Sequence, residues 1–299
     1  MSSDPLGSER SDAEVAIAAG KAVQMGAHPL DRYVGSWALV TGRARQEGLG
    51  FAFARKLAAR RINIALVDIL AEDLEARAEE LRSSYGVSVR ALPADLGDLE
   101  CFRSVQEALQ DINVDILICN HMYTPTDTPK ILDMPLDLHN RMIDINARAY
   151  VNLIHRFGQL MRKRRKGAIV IVSSGAGLAP APYTGAYSGN KAFQIAFGEA
   201  LWYELRPSGV DVLVVVAGLM NTQGEALSKY PRWQITDRDD MAAETLQAIG
   251  RKHLVAPGWP TRAYVFLTTR VLSRRRAVMQ MGRFMASGLG EDGSTTSTL

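Results

Sequence analysis

The chain has 299 residues, of which 47% are hydrophobic and 22% charged, and its formal net charge is +3. These proportions are those of a globular protein and exclude a wholly disordered or fibrous chain. The two cysteines, Cys101 and Cys119, are too few for a disulfide framework or a cysteine metal cluster. The sequence has no apolar run of roughly 18 residues, and its first residues do not follow the pattern of a signal peptide. We therefore expect a cytoplasmic protein.

Short apolar runs alternate with helix-like segments from residue 36 onward. Predicted strands lie at residues 37–40, 62–67, 87–92, 115–119, 168–172 and 210–216. Predicted helices lie at residues 51–60, 71–85, 99–111, 136–165 and 187–206. This alternation is typical of βαβ units. It predicts an α/β fold in which one doubly wound parallel sheet carries helices on both faces.

The two ends of the chain differ from this central pattern. Residues 1–32 are polar and rich in small residues, which favours an N-terminal extension. Residues 33–260 are predicted to form the domain itself, with a substrate lid at about 221–259. Residues 261–299 are predicted to form a basic amphipathic helix and a disordered tail.

The basic segment has eight Lys or Arg residues and no Asp or Glu between Arg251 and Gly290. Apolar residues recur between Ala263 and Met285 at helical spacings, which predicts one continuous helix with an apolar stripe. Such a helix could cover a substrate cleft, pack on a neighbouring subunit or lie on an anionic membrane surface. Its arginines could also steer an anionic substrate. We favour packing, because Arg274 interrupts the stripe.

A glycine-rich loop, residues 42–50, follows the first predicted strand and opens the first predicted helix. At that place glycines let the backbone approach a pyrophosphate, and the helix N-terminus offers free N–H groups. The loop therefore predicts a dinucleotide site. Its expected members are Gly42, Arg43, Gly48, Leu49 and Gly50.

The choice of nucleotide depends on charges near the adenosine ribose. Asp68 ends the second predicted strand, where a carboxylate accepts hydrogen bonds from the ribose and repels a 2′-phosphate. Arg43 and Arg45 could instead pair with that phosphate. NAD is favoured and NADP is possible. Asp95 and Leu96 follow the third strand and are expected at the adenine, although Asp95 could equally cap the next helix.

A tyrosine and a lysine four residues apart, Tyr187 and Lys191, share one face of a predicted helix. A nearby ammonium favours the phenolate and lowers the pKa of a tyrosine, which is otherwise about 10. The phenol then becomes a usable proton donor or acceptor near neutral pH. Ser173 and Ser174 close the preceding strand, where a serine hydroxyl could hold a substrate oxygen.

Together these motifs resemble the short-chain dehydrogenase/reductase family, over about residues 36–222. The resemblance implies a Rossmann fold and the catalytic set Asn146, Ser174, Tyr187 and Lys191. Tyr187 would be the general acid/base, and Ser174 would polarise the carbonyl. Lys191 would lower the tyrosine pKa and bind the nicotinamide ribose. Asn146 would hold the water through which protons reach the lysine.

The resemblance also implies further cofactor contacts. A nicotinamide loop would contain Gly218, Met220 and Thr222, with Thr222 on the carboxamide. The family tetrad Asn-Asn-Ala-Gly reads Cys119-Asn120-His121-Met122 here and keeps only its second asparagine. Asn120 is expected at the cofactor, and His121 in the wall of the cofactor pocket.

The activity implied is the NAD(P)-dependent interconversion of a secondary alcohol and a ketone. Residues 33–40 and 173–177 look like the branch of 17β-hydroxysteroid dehydrogenases and very-long-chain 3-oxoacyl-CoA reductases. The expected substrate is therefore bulky and apolar: steroid-like, polyketide-like or a 3-oxoacyl thioester. The altered tetrad supports an alternative, a catalytically silent nucleotide-binding scaffold or sensor. The five residues between Gly42 and Gly48 resemble enoyl reductases, which are a third possibility.

Partners follow from the same resemblance. Family members usually form homodimers or homotetramers through the helices that here contain Asn146 and Tyr187. No nucleic acid is expected, and the only membrane contact considered is peripheral, through the C-terminal tail. Candidate walls of the substrate pocket are Met220, Leu227, Tyr230, Trp233 and Trp259.

Overall fold

Residues 28–42, 47–125, 130–221 and 231–289 are described by the structure, a computed structural model. The strands in these ranges are β1 (Trp37–Thr41), β2 (Asn63–Asp68), β3 (Val89–Pro93), β4 (Val114–Cys119), β5 (Gly167–Ser174), β6 (Val210–Ala217) and β7 (Leu254–Val255). They form one parallel sheet in the order β3-β2-β1-β4-β5-β6-β7. The predicted doubly wound sheet is confirmed.

Helices cover both faces of this sheet. They are α1 (Leu49–Ala58), α2 (Ala71–Tyr85), α3 (Leu99–Ala108), α4 (Leu136–Ile143), α5 (Ala149–Arg164), α6 (Gly185–Leu205), α7 (Arg238–Ala248), α8 (Trp259–Phe266) and α9 (Arg274–Leu289). Side chains of β1 alternate between two buried clusters, with Ala38 and Val40 in one and Leu39 in the other. No helix within the described ranges is both long and apolar enough to span a membrane.

The order of the strands locates the crevice of the fold. From β1 the chain adds β2 and β3 on one side and then returns to place β4 on the other side of β1. In open parallel sheets, ligands bind beyond the carboxyl ends of the strands at such a reversal. The crevice therefore opens above Thr41 and Cys119, which pair in the β1–β4 register.

Within the segment expected to be a substrate lid, residues 221–259, the described residues 231–259 contain α7 and β7. Met241 and Ala242 of α7 are fully buried, and α7 packs on α1, where Arg55 donates to Asp239 at 2.6 Å. β7 extends the sheet beyond β6. Small residues weaken the apolar stripe of α7, and a two-residue strand carries almost no pattern, so sequence periodicity missed both.

The continuous C-terminal helix expected over residues 263–285 is wrong. α8 passes into a π-helical stretch, Leu267–Val271, and Leu272 is extended before α9 begins. The hydroxyls of Thr268 and Thr269 donate back to carbonyls of the preceding turn, which competes with helical hydrogen bonds. Ser273 then starts α9, because its Oγ accepts from the N–H of Arg276 at 3.4 Å.

The predicted N-terminal extension ends inside the core. Leu30 and Tyr33 are fully buried and belong to the larger apolar cluster. Gly35 N–H also donates to the Arg61 carbonyl at 2.9 Å, which joins this segment to the loop before β2. Residues 1–27 and 290–299 lie outside the described residues.

Candidate active site

Helix α6 carries Tyr187 and Lys191 on one face, as their spacing predicts. The Nζ atom of Lys191 lies 5.6 Å from the centroid of the Tyr187 ring. Tyr187 is half-buried, whereas Lys191 is 3% exposed. The Lys191 ammonium donates to the Val172 carbonyl at 2.9 Å and to Gln194 Oε1 at 3.0 Å. These bonds fix a buried ammonium next to the phenol.

The two serines at the end of β5 have different surroundings. Ser173 is buried and its Oγ donates to the Lys191 carbonyl at 2.8 Å, which ties the strand to α6. Ser174 is half-buried, and its Oγ accepts from the N–H of Ala176 at 3.3 Å. Gly177 lets this loop pack closely on α6, because a Cβ there would lie 2.7 Å from the Lys191 backbone. Ser173 is thus engaged in the framework, and Ser174 has the more open position.

Asn146 lies in a π-helical stretch, Asp144–Arg148, between α4 and α5, which together form the predicted helix 136–165. The register of this stretch is wider than that of an α-helix, since the N–H of Ala149 donates to the Asp144 carbonyl. The fully buried Asn146 side chain binds the backbone of Tyr123, with Oδ1 accepting at 2.7 Å and Nδ2 donating at 2.6 Å. Its carbonyl oxygen accepts from Gln194 Nε2 at 2.8 Å.

His121 takes the place of a small tetrad residue after β4. Its Nδ1 lies 2.7 Å from Thr41 Oγ1, and its ring contacts the Tyr150 ring with centroids 4.3 Å apart. The Tyr150 hydroxyl donates to the His121 carbonyl at 2.9 Å. Burial, and then the Lys191 charge, lower the pKa of His121 to about 3. The imidazole is therefore neutral at physiological pH and unsuited to act as a general acid.

Gly42 and Asn120 join the ends of β1 and β4. Gly42 has a φ of +77°, and a Cβ there would lie 2.3 Å from His121 Cα. Asn120 Nδ2 donates to the Gly42 carbonyl at 3.0 Å. This glycine is therefore required by the close approach of the two loops, whatever else it contacts.

The start of α1 offers backbone donors at the crevice. Gly48 precedes the helix in an extended conformation and has no side chain of its own to cap it, and the first turn contains no acidic residue. Leu49 and Gly50 are buried. The exposed N–H groups and positive dipole end of such a turn suit a pyrophosphate. Together with the Lys191 ammonium, this donor set fits a dinucleotide. Arg43 and Arg45 lie outside the described residues.

The two acidic residues expected at the adenosine differ. Asp68 ends β2, and its Oδ1 accepts from the N–H of Leu70 at 3.2 Å. Asp95 Oδ1 accepts from the N–H of Gly97 at 2.9 Å, and its Oδ2 accepts from Arg141 Nη2 at 2.6 Å. Asp98, not Asp95, caps α3, so the capping alternative for Asp95 is wrong. Leu96 is buried in a core cluster.

The expected nicotinamide loop follows β6. Gly218 touches α8, since a Cβ there would lie 2.2 Å from Thr261 Oγ1. Met220 forms a parallel bridge with Thr236 and packs partly buried on the core. Thr222 lies outside the described residues.

A narrow cleft of about 10 Å³ opens beside Tyr187. Its lining residues are Thr124, Ile131, Met134, His139, Met142, Tyr183, Thr184, Gly185, Ala186 and Tyr187. Four of these residues come from α4 and the segment before it, which sequence reasoning did not assign to a pocket. Of the predicted walls, Trp233 and Trp259 stack at 5.3 Å and are more than half exposed. Leu227 and Tyr230 lie outside the described residues.

Sequence reasoning also missed Gln194 and Tyr150, which hold the polar network together. Both could have been found from helical spacing. Gln194 follows Tyr187 by two turns, and Tyr150 follows Asn146 by four residues, so each shares a face with an expected catalytic residue.

Comparison with known proteins identifies relatives of this chain. The short chain dehydrogenase profile matches residues 36–230. A 7beta-hydroxysteroid dehydrogenase of Collinsella aerofaciens is 31% identical over 238 residues, which cover 75% of this chain and 86% of that protein. A very-long-chain 3-oxoacyl-CoA reductase of Lodderomyces elongisporus is 32% identical over 235 residues, covering 73% of this chain but only 64% of the reductase.

A solved structure of a 7beta-hydroxysteroid dehydrogenase superposes with a TM-score of 0.76 at 26% identity. The match covers 84% of this chain and 98% of that one. The profile match spans more than half of the chain and includes both the crevice and the catalytic helix. The chain belongs to the short-chain dehydrogenase/reductase family and is a short-chain alcohol dehydrogenase or ketoreductase that uses NAD(P).

Proposed function

We propose that this chain interconverts a secondary alcohol and a ketone on a bulky, apolar substrate, with Asn146, Ser174, Tyr187 and Lys191 as its catalytic set. The observation that carries the proposal is the buried Lys191 ammonium, fixed by two hydrogen bonds and 5.6 Å from the Tyr187 ring. In a low-dielectric site such an ammonium strongly favours the phenolate.

Each residue then has one role. Tyr187 takes the hydroxyl proton during oxidation and returns it during reduction. Ser174 donates to the substrate oxygen from its open position at the end of β5. The Asn146 carbonyl accepts from Gln194, whose Oε1 accepts from the Lys191 ammonium, so Asn146 helps to position Lys191. The nicotinamide, when bound, supplies or accepts the hydride.

NAD is the proposed cofactor, ahead of NADP. Asp68 places a carboxylate at the end of β2, next to the β1 crevice, where it would repel a 2′-phosphate. The first turn of α1, at Gly48, Leu49 and Gly50, would hold the pyrophosphate through its N–H groups. The other proposed cofactor contacts are Gly42, Arg43, Asp95, Leu96, Asn120, His121, Tyr187, Lys191, Gly218, Met220 and Thr222.

The substrate class rests on the curated relatives and on the chemistry of the small cleft beside Tyr187. Ile131, Met134 and Met142 give that cleft an apolar wall. The two curated relatives are named as a 7beta-hydroxysteroid dehydrogenase and a very-long-chain 3-oxoacyl-CoA reductase. A steroid-like, polyketide-like or 3-oxoacyl substrate suits such a wall.

The same proposal covers assembly and location. A homodimer or homotetramer in the cytoplasm is proposed, with α6 in its interface, because Phe193 and Tyr203 on α6 are 36% and 71% exposed. Exposed arginines of the C-terminal segment, such as Arg270 and Arg283, would lie at the edge of a subunit contact or on an anionic membrane.

A turnover screen tests the function. The purified chain is incubated with NADH or NADPH and with ketosteroids, 3-oxoacyl thioesters and aromatic ketones, and cofactor absorbance is followed. We expect turnover with at least one bulky ketone. Tyr187→Phe should abolish that turnover and leave nucleotide affinity nearly unchanged, because only the proton-transferring hydroxyl is lost. Nucleotide binding without turnover of any substrate would favour the silent scaffold.

A further inference from the structure

Gln194 is a fully buried glutamine on α6, three residues after Lys191. Its Oε1 accepts from the Lys191 ammonium at 3.0 Å, and its Nε2 donates to the Asn146 carbonyl at 2.8 Å. A buried amide costs free energy unless both of its ends are bonded. Here both ends are bonded, and the two partners belong to the expected catalytic set.

We propose that Gln194 is a positioning residue that links Lys191 directly to the Asn146 carbonyl, where the family resemblance implies a bridging water. The inference rests on the proposed function of Tyr187 and Lys191. It adds a side chain whose amide holds Lys191 by a fixed contact, where an exchangeable water would otherwise lie.

The geometry explains why this contact matters. An ammonium has three N–H donors. One of them is directed to the Val172 carbonyl at the end of β5 and a second to Gln194, so the direction of the third is fixed as well. Without Gln194, Lys191 would lose one of the contacts that align it with Tyr187 and a ribose.

Neighbouring groups stay neutral around the pair, so its titration can be observed separately. Burial and the Lys191 charge lower the pKa of His121 to about 3. Burial raises the pKa of the Tyr150 hydroxyl and of the Cys119 thiol far above neutrality. His121 follows β4 and Tyr150 lies in α5, and neither group changes charge between pH 6 and 9. A shift of the activity profile in that range then reports on Tyr187 and Lys191.

The test compares Gln194→Met, which keeps the volume and removes both bonds, with Gln194→Glu, which keeps an acceptor for Lys191. Thr245→Val is the matched control, since Thr245 is also fully buried and polar but lies in α7. Alcohol oxidation is measured from pH 6 to 10, with nucleotide affinity by fluorescence titration and folding by thermal unfolding.

For Gln194→Met we expect kcat at pH 7 to fall about tenfold and the half-maximal pH to rise by about one unit. The substrate KM should change little, and the nucleotide Kd should rise about threefold. Gln194→Glu should shift the profile upward as well, because a carboxylate near the phenol opposes the phenolate. Thr245→Val should keep the wild-type profile.

Other outcomes overturn distinct claims. An unshifted profile and unchanged Kd in a folded Gln194→Met protein would make Gln194 a packing residue only, even if its melting temperature fell. If Gln194→Met does not fold, an unshifted Gln194→Glu profile would have the same meaning. If the wild-type chain binds nucleotide but turns over nothing, the proposed function fails, and the nucleotide Kd of Gln194→Met still tests the link to Lys191.

Discussion

Buried charges lie at the amino ends and at the carboxyl ends of the strands, here called the amino edge and the carboxyl edge of the sheet. The partners of these charges differ in kind. At the amino edge, the Asp115 side chain is 7% exposed and accepts from Lys166 at 2.8 Å and Arg164 at 3.0 Å. Ser36 Oγ adds a third bond at 2.9 Å. At the carboxyl edge, Lys191 donates to the Val172 carbonyl and the Gln194 amide, which are neutral acceptors.

The difference shows how one fold uses charge for two purposes. A carboxylate between two cations has its electric field largely cancelled. Its ion pairs therefore act mainly to hold β4 against the end of α5 and the start of β5. An ammonium held by dipoles keeps its field, which then acts on nearby groups such as a phenol. Substitutions at the amino edge should therefore change stability, and those at the carboxyl edge should change turnover.

The largest expected effect is that of Lys191→Ala. We expect turnover to fall by roughly 10²- to 10⁴-fold and nucleotide affinity to fall too, because the ammonium serves both the phenol and the ribose. Steady-state kinetics and fluorescence titration measure the two losses. Normal nucleotide binding in this variant would exclude the ribose role.

Asp115→Ala should produce the opposite pattern. Loss of the carboxylate removes two ion pairs and should cost about 2 kcal/mol of unfolding free energy, because Lys166 and Arg164 remain partly solvated. Urea unfolding at pH 7 measures this cost, and kcat should change less than twofold. An activity loss without a stability loss would contradict the division between the two edges.

The same variant has a defined pH dependence. In the wild-type chain burial would raise the pKa of Asp115, but hydrogen bonds with Lys166, Ser36 and Arg164 outweigh it. They hold that pKa below the usual range of an aspartate. A carboxyl with a lowered pKa stabilises the fold above its ordinary pKa and loses that contribution as the pH falls through the lowered value. The difference between wild type and Asp115→Ala should therefore shrink in acid, as unfolding at pH 7 and at pH 3 would measure.

A smaller effect is expected for Asp68→Ala at the carboxyl edge. The Asp68 carboxylate lies at the end of β2, where it would repel a 2′-phosphate. The wild-type chain should bind NADH more tightly than NADPH, and the substitution should narrow that gap about tenfold. Titration of both nucleotides checks this, and a wild-type preference for NADPH would indicate that Arg43 or Arg45 dominates.

Much of the carboxyl edge could be predicted from sequence. The alternation of β1 to β6 with helices follows from local apolar runs, and Tyr187 and Lys191 follow from one helical spacing. Each of these patterns lies within a short window. The charged network at the amino edge could not be predicted, because it joins Asp115, Arg164, Lys166 and Ser36, which lie far apart in the chain.

What sequence reasoning missed depends on contacts between elements. Helical spacing puts Gln194 on the face of Tyr187, but its two partners are defined only once α6 packs against the π-helical stretch that contains Asn146. The apolar cleft wall from Ile131 to Met142 similarly appears only once α4 is placed over the start of α6. The break at Leu272 arises from threonine hydroxyls that compete for backbone carbonyls, which an apolar stripe cannot reveal.

The π-helical stretch Asp144–Arg148 bears on how this chain could change in length during evolution. Each residue of a helix turns it by about 100°, so deleting one residue there would restore a regular helix and rotate α4 by that angle relative to α5. Arg141 would then leave Asp95, and Met142 would leave the cleft beside Tyr187. A descendant one residue shorter at this point would have to build a new cleft wall, and with it a new substrate preference.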